Sequence, residues 1–244
     1  MMTPTALITP WYRRLAKPPT SRDERGSTAA TAILDHRSAE IRGLIARAGC
    51  DAKPEGPSAV LEAAYALIRD EVRAVYALEE TTPASRTLAR GFGSCSQRLA
   101  ILESAARGLG IATRARALLV DRSFWYPRFP RVRRLLPAQV LLVWPEFEIA
   151  GEWRPASELF GAIGCRGGRG FRNQGAETLF EAAGRCAVDW DGHGDAGDPY
   201  DLSHFVRADL GHFADRDTVF ARFGQTLCAP SRALADPILR RIAA

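Results

Sequence analysis

The sequence predicts an α+β fold in which helices come before most of the strands. Apolar residues recur at helical spacing over residues 29–48 and 58–75, whereas residues 111–120 and 139–144 are apolar runs typical of strands. Residues 83–110 indicate a short helix, a glycine turn and a second helix that glycines end. Because 46% of the 244 residues are hydrophobic, the chain can bury a sizeable core, which excludes intrinsic disorder and fibrous architectures.

An extended N-terminal arm is predicted over residues 1–27, which contain four prolines and a polar run. One domain follows over residues 28–244, with a core over about 58–160 and a C-terminal extension over 161–244. In its second half we expect a strand near residues 152–157, a helix over 177–183, a strand over 185–190 and a helix over 200–223 that breaks near Gly211.

The charge and the hydropathy of the chain indicate which partners and which cellular compartment to expect. The formal net charge is +5, and only Lys17 and Lys53 of the 33 basic residues are lysines, which suggests high-GC coding more than nucleic-acid binding. A basic surface also attracts acidic partner proteins. The N-terminus lacks an apolar stretch of signal-peptide length, and no segment has the apolar run needed to cross a bilayer. We therefore expect a soluble, cytoplasmic protein with no nucleic-acid or membrane partner.

The cysteines match neither a disulfide framework nor a zinc motif, because there are five of them at irregular spacing: Cys50, Cys95, Cys165, Cys186 and Cys228. They indicate reduced thiols, and we expect no bound metal. Four of them are interpreted as small buried hydrophobic residues, the exception being Cys95.

Cys95 is the residue best suited to chemistry, because it falls in the first turn of a predicted helix directly after a glycine turn. Unpaired N–H groups and the positive end of the helix dipole stabilise a thiolate at such a position. The pKa of Cys95 is therefore expected to fall, which would make the thiol nucleophilic at neutral pH.

The residues around Cys95 form a longer pattern: Ile68-Arg69-Asp70-Glu71-Val72-Arg73, Ala84-Ser85-x-x-Leu88, Gly91-Phe92-Gly93-Ser94-Cys95, Leu102 and Leu109-Gly110-Ile111-Ala112-Thr113-Arg114. This pattern resembles the transglutaminase-like superfamily of papain-like cysteine enzymes over about residues 58–160. The resemblance implies a nucleophilic cysteine on a helix that packs against an antiparallel sheet. It also implies acyl-enzyme chemistry, whether hydrolysis, amide formation or another transfer.

The other two members of that family's triad are missing from their usual places. Gln139 stands where the family has a histidine, and Ser157 stands where it has an aspartate after Trp153. One hypothesis is a non-catalytic binding module that keeps the fold with a degenerate triad. The other is a relocated triad in which Asp121 orients a distant histidine, since antiparallel pairing would put Asp121 beside the strand that begins near Gln139.

Three histidines in the last quarter of the chain are candidates for the base. His204 is favoured because it lies near the start of the predicted helix, just after a loop rich in Gly and Asp. His212 and His193 are the alternatives, and on a helix His204 and His212 would lie about 80° apart. His36 is interpreted as a solvated or locally bonded side chain of the first helix.

A cysteine, an aspartate 26 residues later and a distant histidine together resemble the bacterial Dieckmann cyclases that release tetramic acids and pyridones from polyketide–peptide assembly lines. The resemblance implies that an acyl- or peptidyl-carrier protein passes a phosphopantetheine-bound acyl chain to Cys95, without a cofactor. His204 would deprotonate the attacking atom, Asp121 would hold the imidazole, and the Cys95 N–H and the Gln139 amide would donate to the oxyanion. Gln139 is also compatible with a polar residue at a strand edge.

A second enzymatic interpretation is a transglutaminase-like cysteine peptidase or amide-forming enzyme with a peptide substrate. In either case an aromatic, arginine-rich connection over residues 122–137 could form the substrate-binding mouth, with Phe124, Trp125, Tyr126 and Arg128. The alternative is a solvated loop whose aromatic rings pack back on the sheet. Residues 166–172 are similar to an RGG-type RNA-binding segment but are interpreted as a flexible loop near the site.

Overall fold

A computed structural model describes residues 25–51, 56–161, 170–186, 188–193 and 200–241, and it confirms the α+β class. The helices within these ranges are α1 (Ala39–Asp51), α2 (Pro57–Glu71), α3 (Ala84–Arg90), α4 (Cys95–Gly108), α5 (Leu179–Arg185), α6 (Arg216–Phe223) and α7 (Ala229–Leu239). The strands are β1 (Arg73–Ala74), β2 (Phe92–Gly93), β3 (Thr113–Asp121), β4 (Gln139–Ile149), β5 (Glu152–Pro155) and β6 (Val206–Phe213). Within the same ranges, none of the helices combines the length and the apolar character that a bilayer span requires.

The main sheet is antiparallel and has the strand order β5-β4-β3-β6. Asp121, the last residue of β3, lies opposite Gln139, the first residue of β4, which is the pairing that the relocated-triad hypothesis requires. Val206, the first residue of β6, lies opposite Val120. One end of the sheet therefore brings together the end of β3 and the starts of β4 and β6.

Helix α4 forms the centre of the fold, and residues 97–107 within it are all buried. It contacts α1, α2, α3 and α5 as well as β3 and β4. Both faces of the central strands are buried as well, because Leu142 and Trp144 of β4 belong to one apolar cluster and Leu141 and Val143 to another. Burial on both faces explains why β3 and β4 are continuous apolar runs in the sequence.

Two of the predicted elements in the C-terminal extension are wrong. Residues 200–223 form the strand β6 and then α6, because exposed and more buried residues alternate at the start of β6 and its backbone pairs with β3. Helix α6 begins where the Asp215 carboxylate accepts a hydrogen bond from the Thr218 N–H at 2.7 Å. The strand expected over residues 185–190 is reduced to an isolated bridge between Asp189 and Asp201.

The N-terminal part of the chain also differs from the sequence prediction. Helix α1 begins at Ala39 rather than near residue 29. Residues 1–24 of the predicted arm lie outside the described ranges, whereas Ser27 pairs with Thr113 at the start of β3 through two backbone hydrogen bonds of 3.0 and 3.1 Å. Ser27, in the last part of the predicted arm, is thus fixed against the start of β3.

Candidate functional site

The turn before Cys95 is built from residues that fit its geometry. Gly91 ends α3 in the left-handed region, with φ 69°. A Cβ atom added at Gly93 would lie 2.7 Å from Thr87 Cγ2, so the close approach of β2 to α3 requires glycine. Ser94 then caps α4, since its hydroxyl accepts from the Gln97 N–H at 3.2 Å and the Gln97 side chain accepts from the Ser94 N–H at 3.0 Å. The predicted helix start at Cys95 is confirmed.

The expected low pKa of Cys95 is not found. Burial of the sulfur, the largest effect, and the neighbouring Glu181 carboxylate raise the pKa of Cys95 to about 12, although Arg98 and Arg216 act in the opposite direction. Cys95 packs against the apolar cluster that contains Leu99, and within the described residues no hydrogen bond joins its sulfur to an imidazole. The thiol is therefore protonated in the free protein at neutral pH.

A buried polar network lies beside Cys95. Arg216, at the start of α6, donates to the Ser96 hydroxyl at 2.8 Å and forms an ion pair with Glu103, and both charged side chains are almost fully buried. Its remaining nitrogen donates to the Val143 carbonyl of β4 at 3.4 Å. Burial raises the pKa of Glu80, although Ser96 donates to that carboxylate and Arg216 attracts it. The network joins α4, β4 and α6 next to the thiol.

A second ion pair holds the other side of the α4 N-terminus. Arg98 pairs with Glu181 of α5, and its guanidinium also lies 4.3 Å from the centre of the Phe180 ring. The Glu181 carboxylate accepts a hydrogen bond from the Thr178 N–H at 2.9 Å, which completes the cap of α5. The Arg98–Glu181 pair thus anchors the C-terminal extension beside Cys95.

The sequence analysis did not identify the partners in these two networks. Arg98 and Glu103 are charged residues between the apolar residues of a helix that is buried over residues 97–107, and buried charges need partners. That pattern could have predicted ion pairs on α4. It could not have named Glu181 or Arg216, which lie 83 and 113 residues further along the chain than their partners.

Asp121 and Gln139 lie side by side at the sheet end described above. The end of α4 is held at the start of β3, where Arg107 donates to the Thr113 hydroxyl at 2.7 Å. The start of α4 lies over the middle of β4, because Arg216 donates both to the Ser96 hydroxyl and to the carbonyl of Val143, which is opposite Ala117 of β3. The Gln139 residue is exposed.

Asp121 already has partners other than histidine. It accepts hydrogen bonds from the Ser123 N–H at 2.8 Å and from Arg207 of β6 at 3.0 Å. Partial burial opposes ionisation, but the hydrogen bonds from Ser123 and Arg207 outweigh it and lower the pKa of Asp121. The carboxylate is ionised and held in place, with Arg207 where a triad imidazole was expected.

His204 lies at the same end of the sheet, two residues before β6 begins. It is exposed, and its ring centre is 3.9 Å from that of Phe205, which in turn contacts Phe124. The prediction that His204 and His212 share a side of a helix is wrong, because His204 lies in a 3-10 turn and His212 lies within β6.

Of the two alternative histidines, His212 lies on the sheet and His193 lies in a loop. His212 is opposite Arg116 of β3, and its Nε2 is 3.0 Å from a Glu146 oxygen whose partner oxygen accepts from Arg114 at 2.7 Å. His193 is exposed, with Nδ1 3.7 Å from Asp191, which also pairs with Arg116. Of the candidate bases, His204 is therefore the one at the same end of the sheet as Asp121 and Gln139.

The aromatic connection has a more structural role than predicted. Phe124 is buried among the rings of Trp125, Phe171, Trp190 and Phe205, so it is a core residue rather than part of a substrate-binding mouth. Trp125 and Tyr126 are partly exposed.

Arg128 was also predicted to bind substrate, but its donors are used within the fold. It donates to the Asn173 side chain at 2.6 Å, to the Gly175 carbonyl at 3.1 Å and to the Glu177 carbonyl. The guanidinium therefore holds residues 173–177 against the connection, and the phosphate or acidic partner expected for it would have to displace these bonds.

Among the described cysteines, Cys50 is exposed, Cys95 and Cys228 are partly exposed, and Cys186 is buried. Cys165 and most of the arginine–glycine segment, residues 162–169, lie outside the described ranges. No family model, curated protein or solved structure matches this chain.

Proposed function

We propose that this protein is a cysteine-dependent acyl-transfer enzyme with a transglutaminase-like core, and most specifically a Dieckmann-type cyclase that releases a carrier-bound polyketide–peptide chain. The observation that carries the proposal is the position of Cys95 at the first turn of the buried central helix, after a glycine turn that shapes the backbone there. The unpaired N–H groups of that turn suit an oxyanion next to the sulfur. Asp121, Gln139 and the turn with His204 lie together at one end of the main sheet, and the proposal requires this end to meet Cys95.

In this proposal the Cys95 sulfur attacks the carbonyl carbon of the carrier thioester while His204 takes the thiol proton. The tetrahedral oxyanion accepts hydrogen bonds from the Cys95 N–H and the Gln139 amide. When the C–S bond to phosphopantetheine breaks, His204 returns the proton to the departing thiolate, which leaves the acyl chain on Cys95.

Ring closure follows from the acyl-enzyme. His204 takes a proton from the carbon or nitrogen that attacks the acyl carbonyl, the new bond forms, and the bond to Cys95 breaks. The proton on His204 then returns to the Cys95 sulfur. Asp121 orients the imidazole, which requires the carboxylate to exchange Arg207 for His204.

The raised pKa of Cys95 sets a condition on this chemistry. Because the thiol is protonated in the free protein, sulfur attack and proton transfer have to occur together rather than through a preformed thiolate. Substrate in the site must therefore bring the base and the thiol together.

The test is incubation of the full chain with a β-ketoacyl-aminoacyl thioester mimic, followed by mass spectrometry of product and protein. We expect a ring product and a transient acyl adduct on Cys95, and neither in Cys95→Ala. Asp121→Asn and His204→Ala should each lower turnover by orders of magnitude with unchanged folding, whereas His193→Ala, at an exposed position, serves as the matched control.

Full activity in His204→Ala would reassign the base to His212 or His193, and peptide cleavage without a ring would favour the peptidase alternative.

A non-catalytic binding module is the second candidate, and a specific observation favours it. Burial raises the pKa of Cys95, and the Asp121 carboxylate is bound by Arg207 instead of an imidazole. In that case the thioester mimic would bind without forming an adduct on Cys95 or a product. Binding of the mimic by wild type with neither a Cys95 adduct nor a product would support the module and contradict the enzyme.

A further inference from the structure

An exposed loop of arginine and apolar residues lies between β3 and β4. Residues 130–135, which we call the Arg–Leu loop, are all exposed and include Arg131, Arg133 and Arg134. Between them, Val132 is 42% and Leu135 68% exposed, two of the most exposed large apolar side chains in the described part of the chain. Exposed apolar residues framed by charges of one sign are typical of an interaction surface.

The Arg–Leu loop is held in one shape by the residues that precede it. The Phe129 ring centre is 4.7 Å from that of Tyr76, and the Phe129 N–H donates to the Trp125 carbonyl at 3.1 Å. Within the loop, the Leu135 N–H donates to the Val132 carbonyl at 2.9 Å, and the Arg133 guanidinium lies 5.2 Å from the centre of the Tyr126 ring. A partner therefore meets a formed surface, which reduces the entropy lost on binding.

The positive charge of the Arg–Leu loop is not neutralised by ion pairs within the described structure. None of its three guanidiniums forms an ion pair with a carboxylate of the described residues, whereas Arg114 and Arg116 of the adjacent strand are both paired. The unpaired arginines produce a local positive potential that complements an acidic surface. The connection that carries them runs from Asp121 to Gln139, so the loop belongs to the sheet end of the candidate site.

We propose that the Arg–Leu loop docks an acidic helix of a carrier protein, so that the three arginines meet its carboxylates and Val132 and Leu135 cover its apolar face. The nature of this partner rests on the proposed function, whereas the docking residues follow from exposure and charge. A protein is favoured over a membrane because two apolar side chains and three charges provide only marginal bilayer binding. Arginines around a small apolar centre are characteristic of protein interfaces.

The test measures binding of a fluorescently labelled, phosphopantetheinylated bacterial acyl carrier protein without an acyl chain to the full chain carrying Cys95→Ala, so that no chemistry is involved. Fluorescence anisotropy gives Kd at low and high salt. Reversing the charges in R131E/R133E/R134E should weaken binding at least tenfold and reduce its salt dependence. V132S/L135S should weaken binding severalfold and leave the salt dependence unchanged.

The matched control is R37E/R42E/R86E, which reverses three exposed arginines without ion pairs in the described structure. Both triple variants lower the formal net charge from +5 to −1, because each substitution removes one positive charge and adds one negative charge. The control should change Kd less than threefold. Equal losses in the two triple variants, or no binding by the parent chain, would overturn the proposal.

Binding of the same variants to vesicles that contain phosphatidylserine tests the alternative that the loop binds a membrane. Loop-dependent binding to these vesicles, with carrier binding unaffected by the loop variant, would overturn the proposal in favour of a lipid surface. The proposed function is tested separately by turnover of the small thioester mimic, which needs no carrier. A wild-type chain that turns over no mimic, although its Cys95→Ala form binds the carrier through the loop, would contradict the proposed function alone.

Discussion

At the level of single residues, Cys95 and Cys228 have pKa values shifted in opposite directions, although each stands at the start of a helix and each is partly exposed. The pKa of Cys95 is raised to about 12, mainly by burial of its sulfur. Cys228 caps α7 and is partly exposed, and a hydrogen bond to the Ser231 hydroxyl, 3.2 Å from its sulfur, lowers the pKa of Cys228. The helix terminus is common to both, so desolvation of Cys95 and the Ser231 hydrogen bond at Cys228 separate the pKa values of the two thiols.

Iodoacetamide labelling should reveal this difference. At pH 7.5 we expect Cys228 to be alkylated at least tenfold faster than Cys95, because only the thiolate reacts. The Cys95 rate should rise about tenfold per pH unit and level off only near pH 12, since its thiolate fraction grows until pH reaches the pKa. Peptide mapping by mass spectrometry measures both rates, and the unfolded chain, in which the two thiols react alike, is the control. Preferential labelling of Cys95 in the native protein at pH 7.5 would contradict the buried environment.

At the level of elements, the turn between α3 and α4 determines where Cys95 lies. Gly91 ends one helix, Gly93 lets β2 approach α3, and Ser94 starts the next helix. All three signals are local in sequence, which is why the helix start could be predicted. The strand β6 had no comparable local signal, because its pairing with β3 joins residues about 90 positions apart in the chain.

Substitution of Gly93 should show how tightly this turn is packed. We expect Gly93→Ala to lower the free energy of unfolding by about 1–3 kcal/mol, because the new Cβ would lie 2.7 Å from Thr87 Cγ2. Thr87→Ser removes that methyl group, so Gly93→Ala should cost less in a Thr87→Ser background. Urea denaturation of the four proteins gives the coupling energy. An equal cost in both backgrounds would show that the Thr87 methyl group is not the obstacle.

At the level of the whole molecule, buried ion pairs join the C-terminal extension to the central helix. Arg216 of α6 pairs with Glu103, and Glu181 of α5 pairs with Arg98. The extension therefore forms part of the environment of Cys95. Removing one partner leaves a buried charge without compensation, which costs more than removing both.

The Arg216–Glu103 pair offers the clearest test of this arrangement. Arg216→Met should lower the free energy of unfolding by about 3–5 kcal/mol, because Glu103 would remain buried without a cation. The double variant Glu103→Gln with Arg216→Met should recover part of that loss. Chemical denaturation at neutral pH measures the three variants against wild type. A double variant that loses the sum of the two single losses would show that the residues do not act as a pair.

The sequence by itself determined the α+β class and the helix that begins at Cys95. These features follow from capping residues, glycines and apolar runs, whose physical effects extend over a few neighbouring residues. Only the tertiary structure decided that the Cys95 thiol is protonated, that Asp121 binds Arg207 and that Arg128 supports the fold. Solvation and ion pairing depend on groups that folding brings together from distant parts of the chain, such as Cys95 and Glu181, and no local pattern contains that information.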